Sequence, residues 1–146
     1  MKYTQEIVID LPRNRVAELM DSWENLYHWM EGLKRHEHLS GTPGKVGAKT
    51  KMFFEMGKRK IEMVETVTKQ DFPNHFNATY EAKGVWNEVF NTFEATGENS
   101  TKWIQECEFR CAGFMRIMIF LMPGAFRKQS LKYMQDFKKF AENSGK

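Results

Sequence analysis

The sequence predicts an α+β protein in which a curved antiparallel sheet of about seven strands wraps around a long C-terminal helix, with two short helices after the first strand. Two observations support this. Residues 123–143 place their apolar side chains, with Leu131 as the exception, on one arc at helical spacing, and a helix of about 20 residues is about 30 Å long. Before it, six segments alternate apolar and polar residues and are joined by short turns, which is typical of antiparallel strands.

The N-terminal elements follow from alternation and from capping residues. Residues 2–10 alternate as a strand, with Tyr3, Gln5, Ile7 and Ile9 on one side. Leu11-Pro12 then turns the chain into a short helix. Asp21, with Glu24 three residues later, resembles a capping box, which predicts a second short helix ending at Gly32.

The six further strands are predicted at residues 33–39, 49–56, 59–68, 76–82, 85–95 and 101–111. Hairpin-length links make them an antiparallel meander, and the first strand can complete the sheet. A short apolar helix, 114–121, precedes Pro123. The long C-terminal helix is then the element that covers the apolar face of the sheet, and its side chains Phe126, Met134 and Phe137 should be buried. Because a sheet curved around one helix cannot pack as closely as two flat layers, we expect a cavity between them.

Composition limits the function classes. The 146 residues predict one domain, 1–146, with a core of its own. A net charge of only +3 is too weak to indicate nucleic-acid binding. The chain has more large apolar side chains than a core of this size needs: twelve Phe, four Trp, four Tyr and ten Met. Such side chains can adapt their packing to a ligand bound in a cavity.

Compartment is inferred from the cysteines and from the N-terminus. The first ten residues contain no apolar signal region, and Cys107 and Cys111 are too far apart, about 13 Å, to pair within one straight strand. We therefore expect free thiols and a cytoplasmic protein without stable membrane insertion. The Met- and Phe-rich stretch 114–126 also admits a membrane-surface role, but burial in the core is favoured.

The order β-αα-β6-α, the segment Leu26-Tyr27-His28-Trp29-Met30-Glu31-Gly32 and the tail Phe137-Lys138-Lys139-Phe140-Ala141-Glu142 resemble the START-like, or SRPBCC, superfamily. The chain is similar to its polyketide cyclase/dehydrase-type and lipid-transfer members. The resemblance implies the helix-grip fold and a deep cavity for a hydrophobic small molecule such as a lipid, an isoprenoid or an aromatic polyketide-like compound. The marks of the iron–sulfur oxygenase branch are missing from the sequence, and we expect no cofactor.

The predicted ligand-binding residues face the cavity from the strands and the last helix. Polar residues on inward-facing positions would orient a ligand within an apolar pocket. A buried Glu65 would have a raised pKa and could act as general acid or base. The alternative is that a β-bulge turns Glu65 outward, or that it lies at the solvent-exposed rim of the sheet. The inward face of strand 85–95 is the least certain. The full predicted set is Phe54, Met63, Glu65, Tyr80, Asn87, Asn91, Trp103, Gln105, Phe126 and Met134.

The sequence gives weaker support for the other candidate site residues. His36 and His38 have a spacing that metals use, but the sequence places no carboxylate or third histidine beside them, so we predict no metal site. Ser130 either meets a ligand or bonds back to the carbonyl four residues earlier, and the second is favoured. Two functions stay open: a binder or carrier of a hydrophobic molecule, or a small cyclase/dehydratase-type enzyme using the same cavity. The sequence identifies no protein partner.

Overall fold

Seven antiparallel strands form one open sheet in the computed structural model of the chain, which describes residues 1–144. The last two residues of the predicted domain 1–146 lie outside this range. The elements are β1 (Lys2–Ile9), α1 (Arg13–Met20), α2 (Trp23–Trp29), β2 (Leu33–Ser40), β3 (Lys49–Met56), β4 (Arg59–Asp71), β5 (His75–Ala82), β6 (Val85–Gly97), β7 (Ser100–Cys111), α3 (Phe114–Leu121) and α4 (Pro123–Ser144).

The strand order is β1-β7-β6-β5-β4-β3-β2. Strands β2 to β7 therefore form the predicted meander, and β1 completes the sheet by pairing with β7. The long helix α4 carries its apolar arc against this sheet. The predicted α+β fold, with a sheet gripping its C-terminal helix, is confirmed.

The start of α2 differs from the prediction. Ser22, rather than Asp21, is the N-cap residue, and its side chain accepts a hydrogen bond from the backbone N–H of Asn25 at 3.2 Å. Asp21 instead ends α1. The predicted capping box was wrong by one residue because both positions carry a side-chain oxygen that suits a helix N-terminus.

The centre of α4 is packed into the densest part of the core. Met134, Phe137 and Ala141 have no exposed surface. The Phe137 ring meets Trp29 and Trp103 edge-on, with ring centroids 5.0 and 5.5 Å away. Aromatic rings favour this edge-to-face arrangement beyond the area that they bury. The predicted burial of Met134 and Phe137 is confirmed.

Phe126 and α3 were wrongly predicted to be buried. Phe126, in the first turn of α4, is only half-buried and packs against Phe109, with the two ring centroids 4.8 Å apart. Helix α3 contacts β7 and the start of α4 with one side alone, so Phe114, Ile117 and Phe120 are exposed. No helix within residues 1–144 is long and apolar enough to cross a membrane.

Candidate functional site

A line of polar side chains crosses the inner face of the sheet. In register on neighbouring strands, Asn87 of β6 pairs with Tyr80 of β5, Tyr80 with Glu65 of β4, and Glu65 with Thr50 of β3. Residues in register point to the same face of a sheet, because side chains alternate along every strand. We call these four residues the polar rung. Glu65 and Thr50 are buried, whereas Tyr80 and Asn87 are half-buried.

Glu65 and Tyr80 are directly bonded within the rung. The Tyr80 hydroxyl donates a hydrogen bond of 2.8 Å to Glu65 Oε2. Burial raises the pKa of Glu65 to about 7, and the bond from Tyr80 opposes this only in part. Burial also raises the pKa of Tyr80 well above its usual value, so the phenol stays protonated and acts as a donor. Near neutral pH the Glu65 carboxyl can therefore either give or take a proton.

Two buried acceptors lack a hydrogen-bond partner among the described residues: Asn87 Oδ1 and Gln5 Oε1. The Gln5 amide is fixed in orientation, since its Nε2 donates to the carbonyl of Arg127 at 2.9 Å. Most buried polar atoms in proteins are hydrogen-bonded, and an unpaired one costs about 1–3 kcal/mol. These oxygens are therefore positions where a guest with an N–H or O–H group would be stabilised.

A second polar line, on β1, β7 and β6, holds the structure together. Gln5, Gln105 and Asn91 are in register on the three strands. Asn91 Oδ1 accepts from Trp103 Nε1 at 2.9 Å and from Gln105 Nε2 at 3.2 Å, while its Nδ2 donates to the carbonyl of Phe76 at 3.0 Å. Both ends of the Asn91 amide are thus satisfied within the protein, which makes it a cross-link between strands.

The Ser130 hydroxyl bonds to Tyr3 rather than back to its own helix, contrary to the prediction. Tyr3 donates to the Phe126 carbonyl, four residues before Ser130, at 3.1 Å, and its hydroxyl lies 2.5 Å from Ser130 Oγ. Tyr3 thereby bonds both to Ser130 and to the carbonyl that Ser130 was expected to use. The contact ties β1 to the first turns of α4. Nearby, burial raises the pKa of the Cys107 thiol, which disfavours the nucleophilic thiolate.

The apolar interior is divided into three clusters, and Tyr80 packs against two of them. One surrounds Met52 and Phe54, with Met63 at its edge, and another surrounds Tyr3 and Cys107. The third surrounds Phe137 on α4 and fills the end of the interior near α1 and α2. The polar rung lies between the first two clusters, and its Tyr80 contacts both of them.

The predicted site residues accordingly separate into groups. The structure brings Glu65, Tyr80 and Asn87 together in the rung, with Phe54 and Met63 beside it. Asn91, Trp103 and Gln105 form the strand cross-link, Met134 lies in the packed cluster around Phe137, and Phe126 lies at the Tyr3 end. The inner face of β6 is settled by the burial of Val89, Asn91 and Phe93. Whether any of these residues contacts a ligand stays a prediction.

Gln5 and Thr50 were missed as site residues. Each lies on the apolar alternation of its strand, Gln5 between Tyr3 and Ile7, and Thr50 beside Met52. A single polar residue on an otherwise apolar face was the available signal. The same signal identified Glu65 and Gln105, and it could have been applied to β1 and β3.

Two surface concavities lie elsewhere, with volumes of about 360 and 390 Å³. The first is at the β5–β6 turn, beside Val85, Trp86 and Ala112. The second includes Thr4, Phe90 and other residues of the outer face of the sheet. Neither lies between the sheet and α4, so the ligand hypothesis depends on the polar rung and not on these grooves.

The two histidines of the H-x-H pair have protein partners. His36 stacks on Trp23 with ring centroids 4.5 Å apart and bonds to the Tyr27 hydroxyl, and His38 Nε2 lies 2.7 Å from the carbonyl oxygen of Gly41. Within residues 1–144 no three His, Cys, Asp or Glu side chains are grouped so that they could hold a metal ion.

Comparison with known proteins identifies the fold. No protein-family model matches the chain. No curated protein matches it. Solved structures do match the chain. A conserved protein from Geobacillus kaustophilus has 16% identity and a TM-score of 0.84, and the alignment covers 99% of this chain and 97% of that protein. The Zhui aromatase/cyclase from a Streptomyces species has 10% identity and a TM-score of 0.83, with coverages of 100% and 96%. The protein Ara h 8.0201 has 12% identity and a TM-score of 0.76, with coverages of 99% and 99%.

These identities are low enough that the matches show the fold alone. The chain has the helix-grip fold that the resemblance of its sequence implied. A fold of this kind hosts different functions, so the function has to be argued from the site.

Proposed function

We propose that the chain binds a small hydrophobic molecule with a polar group, such as a lipid, an isoprenoid or an aromatic polyketide-like compound, between the sheet and α4. The observation that carries the proposal is the polar rung. Four polar side chains on four adjacent strands share one rung of the inner face, between two apolar clusters. A ligand pocket is mostly apolar, with a few convergent polar groups that fix the orientation of the guest.

The chemistry of the rung favours a guest that donates hydrogen bonds. Within the described residues, Asn87 Oδ1 is a buried acceptor without a partner, and it shares the rung with the Glu65 carboxyl. Gln5 Oε1, on the second polar line, is another such acceptor. A hydroxyl or phenol could donate to these oxygens. A fatty-acid carboxylate beside Glu65 would require Glu65 to stay protonated, because two like charges disfavour each other, and this becomes more costly as the pH rises above about 7. We therefore expect alcohols and phenols to bind more tightly than carboxylates of similar size.

The test is a thermal-shift screen of long-chain alcohols, isoprenoid alcohols, sterols, aromatic polyphenols and the matching fatty acids. A ligand that binds only the folded chain stabilises it by about 2.7 kcal/mol at a hundred times its dissociation constant. Trp103 emission gives a second readout. The variants Glu65→Gln and Tyr80→Phe should weaken alcohols and phenols more than apolar analogues without a hydroxyl.

Thr101→Val is the matched control. Thr101 is fully buried and donates to the Leu11 carbonyl at 2.8 Å, away from the rung, so its loss should lower stability without changing the order of ligand affinities. If no compound in the screen shifted the unfolding temperature, or if the rung variants and the control changed the affinities alike, the proposal would fail.

Acid–base catalysis in the same space is a second candidate function. It is favoured by the Glu65–Tyr80 pair, in which a carboxyl with a pKa of about 7 is bonded to a protonated phenol. A general acid or base works best when its pKa is close to the operating pH, and its removal typically costs about 10²-fold or more in rate. An enzyme would therefore lose turnover of any bound cyclisable substrate in Glu65→Gln, whereas a carrier would show only weaker binding.

A further inference from the structure

The short helix α3 presents an apolar surface that nothing in the described chain covers. Five of the ten exposed large apolar side chains within residues 1–144 lie between positions 114 and 122, with exposures from 52% to 84%. Only Met115, Met118 and Ile119 of this segment turn partly inward, where Met115 packs near Gly84. Contiguous exposed apolar patches on soluble proteins mark interaction sites. The exposed members are Phe114, Ile117, Phe120, Leu121 and Met122.

The charged side chains of the segment that carries this surface have one sign. Residues 109–135 contain five basic side chains and no acidic one, although the whole chain has nearly balanced charges. Two of the five form ion pairs with carboxylates outside this segment. For the other three, Arg116, Arg127 and Lys128, the described residues include no ion pair. All three are exposed, and they lie on α3 or in the first two turns of α4.

We propose that these five apolar residues and three basic residues, the docking face, bind the surface of an anionic lipid membrane. Segments of this type insert apolar side chains about 5–10 Å into the headgroup boundary while Lys and Arg meet the lipid phosphates. No helix in the described chain is suited to span a bilayer, so the contact is peripheral. The proposal requires no ligand in the interior and stands independently of the function proposed above.

Charge favours a membrane over a second copy of the chain. A symmetric dimer places the same patch of both copies in contact. Here it would bring Arg116, Arg127 and Lys128 of one copy towards the same residues of the other, with no acidic residue in 109–135 to neutralise them. Anionic lipid headgroups supply that negative charge, and the acyl boundary accepts Phe120, the most exposed of the apolar side chains at 84%.

The experiment is co-sedimentation of the full chain with vesicles of phosphatidylcholine alone and of phosphatidylcholine mixed equally with phosphatidylglycerol. The wild type should bind the anionic vesicles, and added salt should weaken the binding. Phe120→Asp should reduce it at least tenfold. Lys128→Gln should reduce it about fivefold, equivalent to about 1 kcal/mol for one basic residue near the surface.

Two variants serve as matched controls. Val46→Asp places the same charge at an apolar side chain that is 64% exposed in the β2–β3 loop, and Lys139→Gln removes an exposed charge near the other end of α4. Both should bind like the wild type. The proposal is overturned if the anionic vesicles capture no protein, if salt and lipid charge have no effect, or if the controls lose binding as Phe120→Asp does. A dimer in sedimentation analysis that Phe120→Asp dissociates, without vesicle binding, would assign the face to self-association instead.

Discussion

Replacing Glu65 with Gln should change how the stability of the chain depends on pH. Burial raises the pKa of Glu65 from 4.5 to about 7 in the folded chain, which corresponds to about 3 kcal/mol, since a tenfold change in proton affinity is about 1.4 kcal/mol. The folded state holds this proton more tightly than the unfolded state does. The associated stability is therefore fully present below about pH 4.5 and is lost as the pH rises to about 7.

The assay is urea unfolding of the wild type and of Glu65→Gln at about pH 5 and about pH 8. Between these two conditions, the free energy of unfolding of the wild type should fall by about 2.5 kcal/mol because of Glu65. The variant should not show this fall. Glu62→Gln is the control, because Glu62 lies on the outer face of the same strand, where it pairs with Lys51 at 3.2 Å. The reasoning is refuted if Glu65→Gln shows the same fall as the wild type, which would mean that the carboxyl is solvated.

Three further results are expected. Phe137→Ala should lower the free energy of unfolding in urea by about 3–5 kcal/mol. Phe126→Ala should lower it clearly less because the Phe126 ring is half-buried, and equal losses would contradict the packing of α4. Thiol titration in denaturant without reductant should find two thiols per chain, and in the folded protein the half-exposed Cys111 should react before the buried Cys107; a single slow phase would count against the β7 register. Tyr3→Phe should cost about 1 kcal/mol because it removes the hydroxyl that bonds to the Phe126 carbonyl and to Ser130. An unchanged stability would mean that this contact between β1 and α4 does not stabilise the chain.

The sheet was predictable from the sequence because each strand has one solvent-exposed face and one buried face. Along β3, Thr50, Met52 and Phe54 are buried while Lys49 and Glu55 are exposed, so the period of two is clear. The same alternation predicted that Glu65 faces inward, and the structure shows it buried and bonded to Tyr80.

Other features depended on contacts that no local pattern encodes. Ser130 has the spacing for a bond to its own helix, but its hydroxyl bonds to Tyr3, which is 127 positions away in sequence. The alignment of Asn87, Tyr80, Glu65 and Thr50 depends on the register of three hairpins, including an irregularity in the β4–β5 pairing. A one-residue slip would move every side chain of a strand to the other face.

The burial of α3 was mispredicted for a related reason. Its apolar residues surround nearly the whole helix, which is the pattern of a buried segment. In the fold only one side of this helix meets β7 and α4, because it lies at the end of the sheet. Composition reports how apolar a segment is, but the tertiary position decides how much of it is covered.

The binding of a small molecule at the polar rung is tested most directly by native mass spectrometry of the chain purified from its own host without organic solvent. We predict a second, heavier species that carries a non-covalently bound, largely apolar compound with a hydroxyl or phenol. It should be reduced in Tyr80→Phe and retained in Thr101→Val. A spectrum with the mass of the chain alone, in the wild type and in both variants, would contradict the account.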